Sequence, residues 1–133
     1  MKIKDLFESN IHKEYPEGSL TYRWRADLPP RYIPSGYTNV LELGGIFANT
    51  QGEGQGDTLM KIFLSSPEAK QAELIFLDPV PNLGSNYDSS DSETMQIRRL
   101  QAFYRRYGFR NNPKATRMWL VQKGSIPTDK LPS

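Results

Sequence analysis

Six consecutive residues, Gln51-Gly52-Glu53-Gly54-Gln55-Gly56, concentrate the chemistry of this chain. Glycines let a backbone turn tightly and present its N–H groups to an anion, and the helical pattern that follows adds the positive end of its dipole. The segment therefore predicts a cradle for a pyrophosphate. A P-loop requires Lys and then Ser or Thr after its last glycine, but Gly56 is followed by Asp57. A dinucleotide fingerprint begun at Gly54 finds Gly56, Leu59 where its third glycine belongs, and Asp78 at the distance of a ribose-binding acid. With only 55 residues after Asp78, counted as 133 minus 78, a doubly wound sheet cannot be completed. A third pattern, Q-x-x-G-x-G on Gln51, Gly54 and Gly56, fits without exception.

Composition narrows the chemistry further. A length of 133 residues predicts one domain, since domains cluster at about 100–150 residues. The absence of cysteine removes disulfides, thiolate nucleophiles and Cys-based zinc sites, and His12 as the lone histidine leaves no His cluster, so no metal is expected. No apolar run reaches the roughly 18 residues of a membrane span, and residues 1–10 lack the apolar region of a signal peptide, which predicts a cytoplasmic protein without a membrane partner. The net charge of +2 conceals an asymmetry. Residues 1–97 carry 8 basic and 14 acidic side chains, a balance of −6, and residues 98–133 carry 9 basic residues against Asp129 alone, a balance of +8. Such a division points to a local anionic partner, nucleic acid or a phosphorylated small molecule.

The elements that must position the glycine turn follow from periodicity. Residues 2–9 suit a short helix, with Ile3, Leu6 and Phe7 on one side. Residues 20–26 alternate Leu20, Tyr22, Trp24 and Ala26 against Thr21, Arg23 and Arg25, as a half-buried strand does. Residues 37–48 are rich in β-formers, and Gly44 and Gly45 inside them mark a bulge or a close approach to the backbone. After the turn, Leu59, Met60, Phe63 and Leu64 share a helix face, and Pro67 stops or kinks that helix near Ser66. Leu74–Leu77 reads as a strand buried on both faces, 93–107 as a helix stopped by Gly108, and 118–122 as a last strand. The order predicts an α/β (α+β) fold in which helices pack on one sheet. YDSSDSE at 87–93 and the segment 124–133 read as loop and tail.

At this point the chain resembles the GNAT superfamily of acyl-CoA N-acyltransferases. Their pyrophosphate signature, Q/R-x-x-G-x-G/A, sits at such a strand-to-helix junction. Asp57-Thr58-Leu59-Met60-Lys61 resembles the start of the family's following helix, and Phe103-Tyr104-Arg105-Arg106-Tyr107-Gly108-Phe109 its second motif about 50 residues downstream. The likeness spans Val40 to Gln122 and implies one GNAT-like domain over 1–133, built on a central mixed sheet flanked by helices. It has a reduced N-terminal part at 1–36, a cofactor-binding and catalytic core at 37–123, and the tail.

The resemblance implies acetyl-CoA as co-substrate and direct transfer of its acetyl group to an amine acceptor in a ternary complex. Backbone donors of Gln51, Gly52, Glu53, Gly54, Gln55, Gly56, Asp57 and Thr58 would hold the pyrophosphate, and Gly45, Ile46, Phe47 and Ala48 would lie along the cofactor arm and thioester. Tyr104 would protonate the leaving thiolate, an uphill transfer for a phenol near ~10 against a thiol near ~8.5 unless the site assists. The amine needs a base or a water relay. Glu42 is the first choice because its apolar sequence neighbours would raise its pKa, with Glu73 and Asp78 as competitors. Three departures stand against the pattern. Ile97 occupies the position of a cofactor-contacting Asn, the connection at 79–93 is long, and the region ahead of Val40 is short, so the acceptor stays undefined. A homodimer is compatible with this reading, as is an acyl-CoA-binding regulator without turnover. Nucleic-acid binding through 98–117 is the weaker alternative, because Phe103 and Phe109 suit a core better than a stacking surface.

Overall fold

The computed structural model describes residues 10–25, 33–34, 36–49, 54–79 and 92–132, so the helix expected at 2–9 lies outside the described residues. The described elements are β1 (Ile11–Tyr15), β2 (Gly18–Trp24), β3 (Val40–Ala48), α1 (Gln55–Leu64), α2 (Pro67–Gln71), β4 (Leu74–Leu77), α3 (Glu93–Arg105), β5 (Met118–Val121) and a 3-10 turn at Thr128–Lys130. One sheet runs β1-β2-β3-β4-β5. Its pairings are antiparallel except β3 with β4, which is parallel. The described residues thus form an α+β fold, with five strands in a mixed sheet and three helices.

Alternation within β2 turns Leu20 and Tyr22 inward, each 1% exposed. In β3, Leu41 and Leu43 face the helices, and beyond them Ile46 and Ala48 do so. That change of parity requires an extra residue, and the register of β3 on β2 slips there, with Leu43 opposite Tyr22 and Gly45 opposite Thr21. Gly44 is the bulged residue. The sequence reading omits β1 because only Ile11 and Tyr15 of this edge strand are even half-buried, which leaves no apolar alternation to detect. The β1–β2 hairpin closes on Gly18, where a Cβ would meet the Phe47 carbonyl oxygen at 2.1 Å.

The described helices pack on one face of the sheet. Leu59, Met60 and Phe63 of α1 and Tyr104 of α3 join Leu41, Leu43, Ile75 and Leu77 in the larger core. The opposite face carries a smaller cluster of Val40, Leu74, Phe76 and Trp119, closed by Leu131 and the partly buried Tyr37 and Ile126. The segment read as a tail is thus a packed cover, held also by a hydrogen bond from Trp119 Nε1 to the Pro132 carbonyl at 3.3 Å. Pro67 does more than stop α1. It occupies the first turn of α2, whose cap is the Ser66 hydroxyl accepting from Ala69 N at 3.2 Å. In the same way Ser92 caps α3 by accepting from Met95 N, and the helix ends at Arg105, ahead of Gly108 in the left-handed region (φ 98°).

Glu73 ties three chain segments together at the N-terminal end of β4. Its Oε1 accepts from Thr38 N at 2.7 Å and Asn39 N at 3.1 Å, Lys123 Nζ lies 3.0 Å from Oε2, and its backbone carbonyl accepts from Gln122 N. The two backbone donors, with Lys123, hold its carboxyl down at about 2. A folded-state value below the unfolded one means that Glu73 stabilises the fold above the ordinary carboxylate range and loses that contribution as pH falls from about 4.3 toward 2. Thermal unfolding followed across this window should show Glu73→Gln less stable at neutral pH and converging on the parent at the acid end. Parallel pH profiles would contradict the anchoring role.

Candidate functional site

β3 outruns its parallel partner. It pairs with β4 only over Val40–Glu42, while β2 accompanies it to Ala48. β4 has four residues and passes at once into Asp78 and Pro79, and a proline has no N–H to extend a ladder. From Leu43 onward the β3 edge that faces β4 makes no ladder with a described strand. Along this stretch Ile46 and Ala48 turn toward the helices, and Phe47 lies on the opposite face, 48% exposed. The Phe47 ring covers Gly45, where a Cβ would fall 2.4 Å from it, so a side chain at this position would displace that half-exposed ring.

The strand leads to the N-terminus of α1. Gln51, Gly52 and Glu53 lie outside the described residues, and the description resumes at Gly54, a left-handed N-cap (φ 76°) without a side-chain cap. Helical bonding begins with Thr58 N donating to Gly54 O at 3.1 Å, and the Thr58 hydroxyl donates to the same oxygen. The N–H groups of Gln55, Gly56 and Asp57 precede that bond and have no acceptor within the helix ladder. No described residue stands within 4 Å of a Cβ built on Gly54, and one built on Gly56 would rest 3.5 Å from the Phe103 ring.

Asp57, in this first turn, would by itself oppose an anion. It is held instead by α3 and the residues just after it. The Tyr107 hydroxyl donates to Asp57 Oδ1, Arg106 Nη2 donates to the same oxygen at 2.9 Å, and the Arg106 guanidinium stacks 5.1 Å from the centre of the Phe103 ring. The Tyr107 hydrogen bond, aided by Arg106, lowers the Asp57 pKa, and desolvation together with the carboxylate pushes Tyr107 up to about 12. The clamp joins α1 to α3 and offsets the negative charge at the helix terminus. The sequence reading names Asp57 only as a backbone donor; its partners stand in the RRYGF stretch, but nothing in the chain pairs them in advance.

Tyr104 packs in the helix-side core, 9% exposed, with its ring edge-on to Phe103 at 5.1 Å and Phe109 at 6.0 Å. Burial pushes its hydroxyl up to about 12, and that hydroxyl makes no hydrogen bond to a described residue. Glu42 has a setting other than the apolar one expected. Its Oε1 accepts from Arg23 Nε at 3.0 Å and Arg25 Nη1 at 2.7 Å. Since Leu41 and Leu43 face the core that holds Tyr104, Glu42 lies on the other face with Val40, and the two residues do not converge. The competing carboxylates are also committed. Asp78 accepts two bonds from Arg117, at 2.8 and 3.1 Å, and Glu73, held near 2 by its donors, is a weak base at the far end of the strands.

Carboxyl NMR reads the clamp directly. Asp57 should titrate below the ordinary carboxylate range, and Tyr107→Phe should move it upward, because the largest lowering influence is removed. An unchanged Asp57 titration in Tyr107→Phe would show that the clamp is not formed. Comparison with protein-family models, curated proteins and solved structures finds no match to this chain.

Proposed function

We propose that this chain is an acetyl-CoA-dependent N-acetyltransferase of the GNAT kind, transferring an acetyl group directly to a primary amine. One observation carries the reading. β3 parts from its parallel neighbour after Glu42, and α1 starts from the left-handed Gly54, with no side-chain cap on its N-terminus, on the sheet face where Tyr104 packs. An extended acyl-pantetheine arm suits an unladdered strand edge, and a diphosphate suits the N-terminus of α1. The clamp on Asp57 improves that fit by placing Arg106 beside the one carboxylate in the first turn.

Acetyl-CoA supplies the activated acyl group, and the residues of the chain bind, orient and manage protons. Gly56 and Asp57, in the first turn of α1, would offer backbone donors to phosphate oxygens. Backbone groups near Gly45 and Ile46 orient the arm and can hydrogen-bond the thioester oxygen as charge develops there. At about 12 the Tyr104 hydroxyl stays protonated at neutral pH, so it serves better as a hydrogen-bond donor to the departing sulfur than as a full proton donor. Glu42, shared between two guanidinium groups at the root of the strand separation, orders that region; proton removal from the amine then falls to water. The absence of cysteine from the sequence removes a thioester on the protein as an intermediate. The engagement of Glu42 and the high value for Tyr104 also favour, as the second reading, an acyl-CoA-binding module without turnover.

Thermal unfolding with acetyl-CoA separates these readings from all others. At a hundredfold excess over Kd, a ligand bound only by the native state adds about 2.7 kcal/mol of stability. No shift at millimolar acetyl-CoA would overturn both readings. Tyr104→Phe should keep the thermal shift and lose turnover, whereas a parent chain that shifts but transfers no acetyl group to any amine tested is the silent binder.

A further inference from the structure

The flank of α3 turned away from α1 forms a second cationic surface. Thr94, Arg98, Gln101 and Arg105 recur there at intervals of three or four residues, facing the turn at Asn111–Thr116 across a cleft of about 520 Å³. That volume is in the range of small-molecule sites. Arg98, Arg105 and Lys114 line it, and its described lining includes neither a carboxylate nor an aromatic ring. Arg98 and Lys114 form no ion pair among the described residues. Three like charges around one concavity repel one another and focus a positive potential that an anion relieves.

The walls are set before any ligand arrives. Buried Gln101 donates from Nε2 to the Thr116 carbonyl at 3.3 Å, Arg105 Nη2 donates to Asn111 Oδ1 at 3.0 Å, and Asn111 Nδ2 donates to the Ala115 carbonyl at 2.8 Å. Such bracing lowers the ordering cost of binding. The aromatics of the same basic stretch point elsewhere. Tyr104 and Phe109 are in the core, Phe103 borders Gly56, and Tyr107 holds Asp57. A single-stranded nucleic acid would find cations here without a ring for its bases to stack on.

We infer that this cleft binds a small phosphorylated molecule, with its phosphate held by Arg98, Arg105 and Lys114. The site is independent of the acetyl-CoA reading, because the α1 terminus meets the opposite flank of α3 through Phe103, Arg106 and Tyr107. Inorganic pyrophosphate titrated into the full chain, followed by amide NMR, reports each location separately. The Gln101 and Lys114–Thr116 resonances should move saturably. Arg98→Gln with Lys114→Gln should weaken that response about tenfold or more, as expected for lost charge-assisted bonds, and Arg106→Gln should leave it intact. Both substituted residues are exposed, and the unperturbed spectrum of the double variant will show that it folds. Saturable shifts confined to Gln55–Thr58, an unchanged response in the double variant, or no response would each overturn the inference. So would tighter binding of a single-stranded oligonucleotide that the double variant loses, which would make the cleft a nucleic-acid surface.

Discussion

Strand β3 has nine residues and its parallel neighbour β4 has four, so their pairing ends at Glu42 opposite Phe76. Most of what distinguishes this molecule depends on that mismatch. A parallel pair needs a crossover between its strands, and α1 and α2 supply it while covering the helix-side core with Leu59, Met60 and Phe63. Beyond Glu42 the backbone of β3 has β2 on one side and, among the described residues, no strand paired on the other. The Gly44 bulge keeps this extension useful to the core, because the extra residue returns Ile46 and Ala48 to the face that Leu41 and Leu43 occupy. The same slip leaves Gly45 and Phe47 on the opposite face, with the ring folded over the glycine.

Charge is arranged around this framework in local pairs. Asp57 is matched by Tyr107 and Arg106, Glu42 by Arg23 and Arg25, Asp78 by Arg117, and Glu73 by backbone donors and Lys123. These pairs explain why none of these four carboxylates has the apolar setting of a poised base. They also show where the C-terminal excess of cations goes. Arg106 and Arg117 stabilise acids contributed by the N-terminal part of the chain, and Arg98 and Lys114 remain around a cleft of their own. A balance of +8 in one segment therefore describes several sites rather than one surface.

Local patterns made much of the fold legible. Alternation in Leu20 and Tyr22, the apolar run Leu74–Leu77 and the helical spacing of Leu59, Met60 and Phe63 each reflect burial on one or two faces of a single element, and each element forms where expected. Paired glycines inside a strand indicated the bulge. Edge strand β1 escaped notice because burial of only Ile11 and Tyr15 imposes no period. The cover formed by Leu131 escaped because one apolar residue among prolines and polar groups looks like a tail until a face exists for it to close. At the site, Gly54 at a helix N-terminus and Tyr104 on α3 were readable from spacing, whereas the partners of Glu42 were not. Its sequence neighbours Leu41 and Leu43 point to the other side of the sheet, and the groups it meets come from an adjacent strand.

The sequence alone determined where chain direction changes, which faces are apolar, and the presence of a glycine turn between a strand and a helix, because these follow from interactions among near neighbours. Only the tertiary structure decided which charges meet, that Tyr104 and Glu42 lie on opposite faces, and that α3 presents one cationic flank to the α1 terminus and another to a separate cleft. Those outcomes depend on strand register and helix rotation. Both are set by packing between segments distant along the chain, and a shift of one residue in either would exchange one set of partners for another.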